Sequence, residues 1–179
     1  MIIAVSGYRG SGKSVFGQVA REMGLPVLEM SEPVLALMKE LGLETTNESV
    51  RNFATDFREK GGPDAVARLM LPKIKEALAQ GKSVVVIGAR SEEEINAFLT
   101  VSGAACICII SDEKNRFARI KSRGKPSDPQ KLEDFRWADR VEEKWGLKKL
   151  LETCDVKLHN DASEEDFRER AKALLGKYK

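Results

Sequence analysis

Short apolar runs alternate along the chain with segments in which apolar residues recur every three or four positions. Five of the runs are compatible with β-strands: residues 2–6, 26–30, 83–88, 105–110 and 155–159. Between the first two runs, one helical face carries Val15, Phe16, Val19, Ala20 and Met23. Strands that alternate with amphipathic helices are typical of a parallel sheet covered by helices, so we predict an α/β fold.

Polar residues, glycine and proline predict where helices begin and end. The segments SEEE at 91–94 and SEED at 163–166 have the capping-box pattern, which predicts a helix start directly after a strand. Asp128 followed by Pro129 predicts another helix start, and Pro72 is expected to kink or split the helix that contains it. The glycines and proline at 61–63 predict a turn between two helices.

The size and charge of the chain limit the classes of function. Its 179 residues, 42% of them hydrophobic, suit one ordinary domain, and we expect a single domain over 1–179. The net charge is only +2, with both signs interspersed, so bulk charge does not predict binding to nucleic acid. Three cysteines without metal-ligand spacing favour a reducing compartment. We recognise no signal peptide or membrane-spanning run, and therefore expect a cytoplasmic protein without membrane contact.

The strongest chemical signal is the segment GYRGSGKS at residues 7–14. It lies between the first predicted strand and the amphipathic helix, and it satisfies the pattern GxxxxGK[ST] of a phosphate-binding loop. Glycines allow backbone N–H groups to surround a phosphate, because no side chain blocks the approach. In such a loop Lys13 would bridge the β- and γ-phosphates of a nucleotide, and the Ser14 hydroxyl would ligate Mg²⁺.

The arginines that follow the fourth predicted strand narrow the class of phosphate-binding protein. The chain has no NKxD element, which GTPases use to recognise the base. An acidic pair ends the fourth strand at 112–113, as in a motor or AAA-type ATPase, but it leads directly into a helix with Arg116, Arg119 and Arg123. Spacings of three and four place these guanidinium groups on one helix face. Asp112 is then better explained as a helix N-cap than as a metal ligand.

A second arginine pair, Arg136 and Arg140, lies on the next predicted helix. Phosphoryl transfer needs positive charge around the transferring group and exclusion of water, and an arginine-bearing lid supplies both. These residues therefore favour a small kinase. The alternative is a solvated basic helix face.

Several segments together resemble the nucleoside monophosphate kinase superfamily of P-loop kinases, and within it the dephospho-CoA kinases and their uncharacterised archaeal relatives. They are GYRGSGKS, GLPVLEMSEPV, VVVIGARS, the arginine-rich helix and CDVKLHNDASEEDF. The resemblance implies a three-layer α/β/α fold with a five-stranded parallel sheet in the order 2-3-1-4-5. It also implies ATP with Mg²⁺ as the donor, a mobile lid at 112–141 and an acceptor-binding helical region at 31–80.

The resemblance assigns roles to individual side chains. It implies nucleotide contacts from the whole loop, which comprises Gly7, Tyr8, Arg9, Gly10, Ser11, Gly12, Lys13 and Ser14, and from the turn around Asn160. Arg90 matches an arginine that faces the acceptor phosphate. Contacts with donor phosphates are implied for the lid arginines Arg116, Arg119, Arg123 and Arg140.

The acceptor implied by the resemblance is a small nucleotide-like molecule, with either a dephospho-CoA-type hydroxyl or the phosphate of a nucleoside monophosphate as the reacting group. Within 31–80, the arginines at 51, 58 and 68 are candidate ligands for an anionic part of it. We prefer Arg58 and Arg68 because they flank the glycine-rich turn. Glu29 or Glu32, after the second strand, is a candidate base that would suit a hydroxyl acceptor, and we place Glu32 among the catalytic candidates.

One position departs from the pattern of the resembled kinases. Ile87 stands where close relatives carry the aspartate of a DGxR motif, which helps to organise magnesium. Because that acid is missing, the alternative to a kinase is a nucleotide-binding regulatory protein or slow ATPase. An ATPase that acts on a protein or RNA partner is a third option.

Overall fold

A sheet of five parallel strands forms the centre of the protein in a computed structural model that describes residues 1–124 and 128–178. The strands are β1 (Ile2–Ser6), β2 (Val27–Glu29), β3 (Val84–Ile87), β4 (Ala104–Ile110) and β5 (Val156–His159). Their order in the sheet is β2-β3-β1-β4-β5. Each strand ends within one residue of its predicted bounds, and the predicted order is confirmed.

Nine α-helices surround the sheet in the part of the chain that the structure describes. They are α1 (Lys13–Glu22), α2 (Ser31–Glu40), α3 (Asn47–Gly61), α4 (Ala65–Leu78), α5 (Glu92–Leu99), α6 (Glu113–Arg123), α7 (Leu132–Lys144), α8 (Leu147–Thr153) and α9 (Glu164–Leu175). A 3-10 turn at Gly176–Tyr178 follows α9. Among these helices, none has the length and apolarity needed to cross a membrane.

Helices cover both faces of the sheet because successive strand side chains point to opposite sides. On one side Val5 of β1 packs in a buried cluster with Phe16 of α1 and Phe167 of α9. On the other side Ala4, one position earlier, belongs to a cluster that includes Phe98 of α5. Burial of each large apolar side chain contributes roughly 2 kcal/mol. The predicted three-layer α/β/α arrangement is therefore confirmed.

Two of the three predicted helix starts are confirmed by their cap geometry. The Ser91 hydroxyl accepts a hydrogen bond from the Glu94 backbone N–H, and Ser163 caps α9 in the same way. The start predicted at 128–129 is wrong, because α7 begins at Leu132. Lys131 is the N-cap of α7, so Asp128 lies three residues before the cap, where its carboxylate forms an ion pair with Arg123.

The helical region 31–80 consists of α2, α3 and α4. The turn predicted at 61–63 is present, with Gly62 as the C-cap of α3. The helix that contains Pro72 is not split, because α4 runs without interruption from Ala65 to Leu78. Residues Met70 and Ile74, on either side of the proline, are completely buried, so packing holds the helix together where one backbone hydrogen bond is missing.

The segments singled out by the sequence analysis follow the carboxyl ends of different strands. The glycine-rich loop follows β1, Arg90 follows β3, and Asn160 follows β5. Because all strands are parallel, these ends meet at one edge of the sheet, where open α/β sheets bind ligands. A 730 Å³ cavity, larger than the cavities described below, lies at the opposite edge, beside Met1 and Ser83, away from these segments.

Candidate active site

The glycine-rich loop between β1 and α1 forms a cradle that only glycine permits. Gly10 and Gly12 have φ angles of 78° and 117°, which L side chains rarely adopt. A Cβ atom on Gly10 would lie 2.6 Å from the backbone oxygen of Arg116, and one on Gly12 would collide with Nδ2 of Asn160. Glycine at these positions is therefore required for the loop to pack against Arg116 and Asn160, and a glycine-rich loop of this kind can present backbone N–H groups to an anion.

Lys13 is the first residue of α1, so its ammonium group and the helix amino terminus lie at the same place. Its Nζ donates hydrogen bonds to the backbone oxygens of Gly7 at 2.5 Å and Tyr8 at 2.8 Å. Burial and the nearby positive charge of Arg90 lower the pKa of Lys13 from 10.5 to about 7. A phosphate would relieve this electrostatic cost, so the loop favours an anionic ligand.

A cavity of about 470 Å³, here called the donor cavity, lies beside the loop and brings together many of the predicted site residues. Its lining includes Arg9, Gly10, Gly12, Lys13, Ser14, Arg90, Arg119 and Arg123 from that set, together with Glu142 and Glu164. Its volume is within the usual range of ligand sites. Residues from the segments that follow β1 and β3 and from α6 thus meet around one space, as the resemblance implies.

A second cavity of about 490 Å³, here called the acceptor cavity, lies toward the helical region 31–80. Residues of α2 and α3 line it, and so does Trp145. It shares Arg9, Arg90, Arg123 and Glu142 with the donor cavity. The two cavities therefore meet at a wall of charged side chains.

Arg90 is held in this wall by contacts with two acidic residues. Its backbone N–H donates a hydrogen bond of 2.6 Å to Oε2 of Glu94. Its guanidinium lies 3.4 Å from both carboxylate oxygens of Glu142. Its side chain is only 14% exposed, so the positive charge is fixed at the junction of the two cavities.

Arg9 and Arg51 carry positive charges that no carboxylate of the described residues neutralises by an ion pair. Arg51 is 9% exposed, its Nε has no hydrogen-bond partner, and its Nη1 lies 3.4 Å from the Asn47 backbone oxygen. Arg9 donates to Oδ1 of Asn47 at 3.2 Å. Burial lowers the pKa of both guanidinium groups. Their charge is available to an anion, since both line the acceptor cavity.

Glu142 of α7 is a site residue that the sequence analysis missed. Its side chain is 6% exposed and borders both cavities. Burial alone would raise its pKa, but the positive charges of Arg90, Lys13, Arg51 and Arg9 outweigh burial and lower it, so the carboxylate is ionised. The sequence does contain a signal, because spacing places Glu142 on the same helix face as the apolar residues Phe135 and Ala138.

Two of the predicted lid arginines reach the donor cavity. Arg119 donates to the Ser111 hydroxyl at 3.0 Å and to the Asn160 backbone oxygen at 2.6 Å. Arg123 forms two hydrogen bonds with the Asp128 carboxylate, at 2.7 and 2.6 Å. Residues 125–127 of the predicted lid lie outside the described residues. A donor-phosphate contact by Arg119 or Arg123 remains a prediction.

Arg116 and Arg140 were predicted to contact donor phosphates, but neither lines the donor cavity. Arg116 is 5% exposed and forms an ion pair of 2.9 Å with Asp139. Its guanidinium also lies 4.8 Å from the ring centre of Tyr8 and 5.0 Å from that of Phe135. Arg140 is exposed and borders a separate hollow between α6 and α7. Asp139 and the aromatic rings thus hold Arg116 in a structural position.

Arg58 lines the acceptor cavity, as predicted for a substrate ligand, but its charge is already compensated. Its Nη2 lies 2.7 Å from Oε1 of the completely buried Glu94. Its guanidinium also stacks over the ring of Trp145, at 4.5 Å from the ring centre. These contacts support a packing role that links α3 to α5.

Arg68 and Glu32 lie at the surface rather than in either cavity. Arg68 is 49% exposed, pairs with Asp64 and donates to the Gly61 backbone oxygen at 2.5 Å. Glu32 is 46% exposed and lies 3.7 Å from Lys73. The structure therefore does not bring these two predicted residues to the candidate site.

Asn160 is bound to the glycine-rich loop by a hydrogen bond from its side chain. Its Nδ2 donates a 2.7 Å hydrogen bond to the Ser11 backbone oxygen, and the side chain is 5% exposed. Tyr8, on the other side of the loop, donates from its hydroxyl to Glu143 at 2.7 Å. The hydroxyl of Ser11 is buried and has no hydrogen-bond partner within the described ranges 1–124 and 128–178. Direct nucleotide contact by these side chains stays a prediction.

The position of Ile87 bears on magnesium. Its side chain is 6% exposed, belongs to the apolar cluster under α1, and lies against Gly17. Among the described residues, no cluster of three histidine, cysteine or acidic side chains could hold a metal ion. Ser14 is exposed in the first turn of α1 and faces the donor cavity, so Mg²⁺ fits this site as an ion held by the Ser14 hydroxyl and the nucleotide phosphates.

The sheet order, the glycine-rich loop and the arginines around it define a P-loop protein with a kinase-like fold. A solved structure with this fold is the shikimate kinase from Bacteroides thetaiotaomicron, with a TM-score of 0.64 over 98% of both chains and 14% sequence identity. Identity this low shows the fold alone.

Sequence comparison gives the family. A family model described as "AAA domain" matches residues 3–146. A UPF0200/UPF0201 protein of Archaeoglobus fulgidus is 40% identical over 176 residues, which cover 97% of this chain but 54% of that protein, so the chain spans about half of its length. A UPF0200 protein of Hyperthermus butylicus is 36% identical over 99% of this chain and 94% of its own length. The chain belongs to the AAA domain family and to the UPF0200 proteins, although the sequence analysis disfavoured an AAA-type ATPase.

Proposed function

We propose that this protein is an ATP-dependent phosphotransferase that uses Mg²⁺ and acts on a small, anionic, nucleotide-like acceptor. The observation that carries the proposal is the meeting of two cavities at Arg90 and Glu142, with the phosphate-binding loop on one side. Transfer between two bound molecules requires such adjacent sites, because the reacting atoms must be held in contact and away from water.

On the donor side, the proposed roles follow from position and charge. Lys13 and the amino terminus of α1 hold the donor phosphates, and Ser14 ligates the magnesium ion that accompanies them. Arg119 and Arg123 add positive charge beyond the loop. Arg90, between the cavities, faces the phosphoryl group in transfer, where developing negative charge needs stabilisation.

On the acceptor side, Arg51 and Arg9 are the proposed ligands for an anionic part of the acceptor. They replace our preference for Arg58 and Arg68, whose charges are compensated by Glu94 and Asp64. A charged acceptor of this kind is compatible with both dephospho-CoA and a nucleoside monophosphate. We also propose a cytoplasmic location, since all three cysteines are free.

The experiment that tests this proposal measures ADP release from Mg-ATP with separate acceptors. The panel contains dephospho-CoA, the four nucleoside monophosphates, shikimate and no acceptor. We expect one acceptor to stimulate ADP release by at least about tenfold, and the Lys13→Ala protein to show no stimulation. The Lys13 variant controls for a contaminating kinase.

A nucleotide-binding regulatory protein or slow ATPase is the second candidate function. The observation that favours it is Ile87, which places a buried apolar side chain where an acid was expected. Equal, slow ADP release in every well of the panel, together with Mg-ATP binding, would support this function and contradict the kinase.

A further inference from the structure

We infer that Glu142 is the general base of the transfer reaction and that the acceptor therefore reacts through an alcohol. The inference rests on the proposed function and deepens it, since it chooses between a hydroxyl and a phosphate acceptor. Glu142, on the buried face of α7, thereby replaces Glu32, the base that was predicted after β2.

Glu142 has the position that a base for this reaction requires. It lies in the wall between the donor and acceptor cavities and is 6% exposed. Its contacts with Arg90 are 3.4 Å long, whereas charge-assisted hydrogen bonds are usually about 2.8 Å. Its Oε2 is a buried atom that lies 3.4 Å from Nε of Arg90 and has no hydrogen-bond partner among the described residues. The carboxylate therefore has hydrogen-bonding capacity that no described residue uses.

The other acids of the two cavities are less suitable. Glu29 lines only the acceptor cavity, is 42% exposed and pairs with Arg21 at 3.5 Å. Glu164 lines only the donor cavity and is exposed. Among the described acidic residues that line these cavities, Glu142 is the one that borders both.

The chemistry of the acceptor explains why a buried carboxylate is needed. A phosphate oxygen is already anionic, so it requires no base and would be repelled by Glu142, whereas a hydroxyl must lose its proton. In the proposed step the hydroxyl oxygen forms a bond to the γ-phosphorus, and the bond from that phosphorus to the β–γ bridging oxygen breaks. ADP leaves with the bond electrons, and the hydroxyl proton passes to Glu142 and then to solvent.

The surrounding charges make the basicity of Glu142 depend on the donor. Lys13 and Arg9 face it from the loop, Arg51 from α3 and Arg90 from the segment after β3, and together they outweigh the effect of burial and lower its pKa in the free protein. Donor phosphates would engage Lys13 and Arg90. The pKa of Glu142 should then rise, so the carboxylate becomes a stronger base when nucleotide is bound.

The test compares Glu142→Gln with Glu133→Gln, an exposed substitution on the same helix. The measured quantities are kcat for the accepting molecule, the Kd of ADP and the melting temperature. For a general base we expect Glu142→Gln to lower kcat by about 100-fold or more, with ADP bound equally or more tightly. The acid limb of the wild-type kcat profile should also disappear. Glu133→Gln should behave as wild type.

Several outcomes would overturn the inference. A Glu142→Gln protein that keeps kcat within about twofold of wild type would show that Glu142 is only a counter-ion of the arginines. If that variant does not fold, Glu142→Asp is measured instead, because it keeps the negative charge but moves the carboxylate away from the cavities. An unchanged kcat in this variant would also show that Glu142 is not the base. Stimulation by a nucleoside monophosphate alone would overturn the alcohol acceptor but leave the kinase standing. Absence of stimulation by any acceptor would overturn the kinase itself.

Discussion

The positively charged residues of the site differ in whether a carboxylate of the protein compensates their charge. Arg58 and Arg116 each meet a buried carboxylate, so their charges are compensated within the protein. Arg51 is buried and Lys13 is half-buried, neither forms an ion pair with a carboxylate in the part of the chain that the structure describes, and burial lowers the pKa of both. Because an isolated buried charge costs several kcal/mol, these uncompensated groups are the ones that a bound anion would stabilise.

The lowered pKa of Lys13 predicts that nucleotide affinity depends on pH. Below pH about 7 the Lys13 ammonium is charged in the free protein. Above that pH the amine is neutral, so ADP binding must be accompanied by uptake of a proton. The positive charges of Arg90, Arg116 and Arg9 oppose this uptake, and the negative charge of Glu142 favours it. ADP affinity should therefore fall by up to about tenfold per pH unit above 7, where the ADP phosphates are already ionised. Titration calorimetry in EDTA, which removes metal effects, measures this. Constant affinity up to about pH 9 would contradict the prediction.

Ile87 predicts the outcome of restoring the missing aspartate. Ile87→Asp would place a carboxylate in an apolar cluster with Val5 and Phe16, against Gly17. We expect a loss of about 3 kcal/mol or more in the free energy of unfolding, and no gain in turnover. The control Ile87→Val should cost about 1 kcal/mol. Urea unfolding measures both. A stable, more active aspartate variant would show that the side chain can leave the core.

At the scale of elements, α6 and α7 are joined to each other by two ion pairs of unlike burial. Arg116 and Asp139 are buried, and Arg116 also donates to the Arg9 backbone oxygen at 3.1 Å. Arg136 and Glu113 join the same helices at the surface, where they are 51% and 42% exposed. The buried pair therefore fixes the loop relative to both helices, whereas the exposed pair is screened by solvent.

This contrast predicts different costs for two similar substitutions. Arg116→Ala leaves the Asp139 carboxylate buried and unpaired, so it should lower the free energy of unfolding by about 3 to 5 kcal/mol. Arg136→Ala removes a surface pair between the same helices and should cost less than about 1 kcal/mol. Chemical denaturation gives both values. Equal losses in the free energy of unfolding would mean that Arg116 stabilises the fold no more than a surface arginine does, which would contradict its structural role.

At the scale of the whole molecule, charge is concentrated locally although the chain is almost neutral. The net charge is +2 over 179 residues, yet the wall between the cavities presents Arg9, Lys13, Arg51 and Arg90 against Glu142. Four segments, the loop, α3, the segment after β3 and α7, contribute these groups. Ligand binding should therefore stabilise the fold as a whole, since it neutralises repulsion between separate elements.

We predict that Mg-ATP raises the melting temperature of the entire chain. Ligand at about 100 times its Kd adds about 2.7 kcal/mol, which corresponds to roughly 5 to 10 °C for a domain of this size. Lys13→Ala should lose most of this shift, whereas Arg68→Ala, at an exposed position in the first turn of α4, should keep it. Scanning fluorimetry with and without Mg-ATP measures the shifts. An undiminished shift in the Lys13 variant would contradict nucleotide binding by the loop.

The sequence by itself determined the fold and half of the site. Strand bounds and the loop from Gly7 to Ser14 were predictable from residue patterns, because apolar periodicity and the backbone demands of glycine act over short distances along the chain. The sheet order was implied by the resemblance to P-loop kinases. The sequence could not determine which arginines are free. Arg58 and Arg51 look alike in the sequence, and only tertiary packing gives Glu94 to the first, whereas the second has no carboxylate partner in an ion pair among the described residues. Glu142 became a site residue only when α7 placed it between two cavities, because the ionisation and reach of a carboxylate depend on neighbours that are distant along the chain.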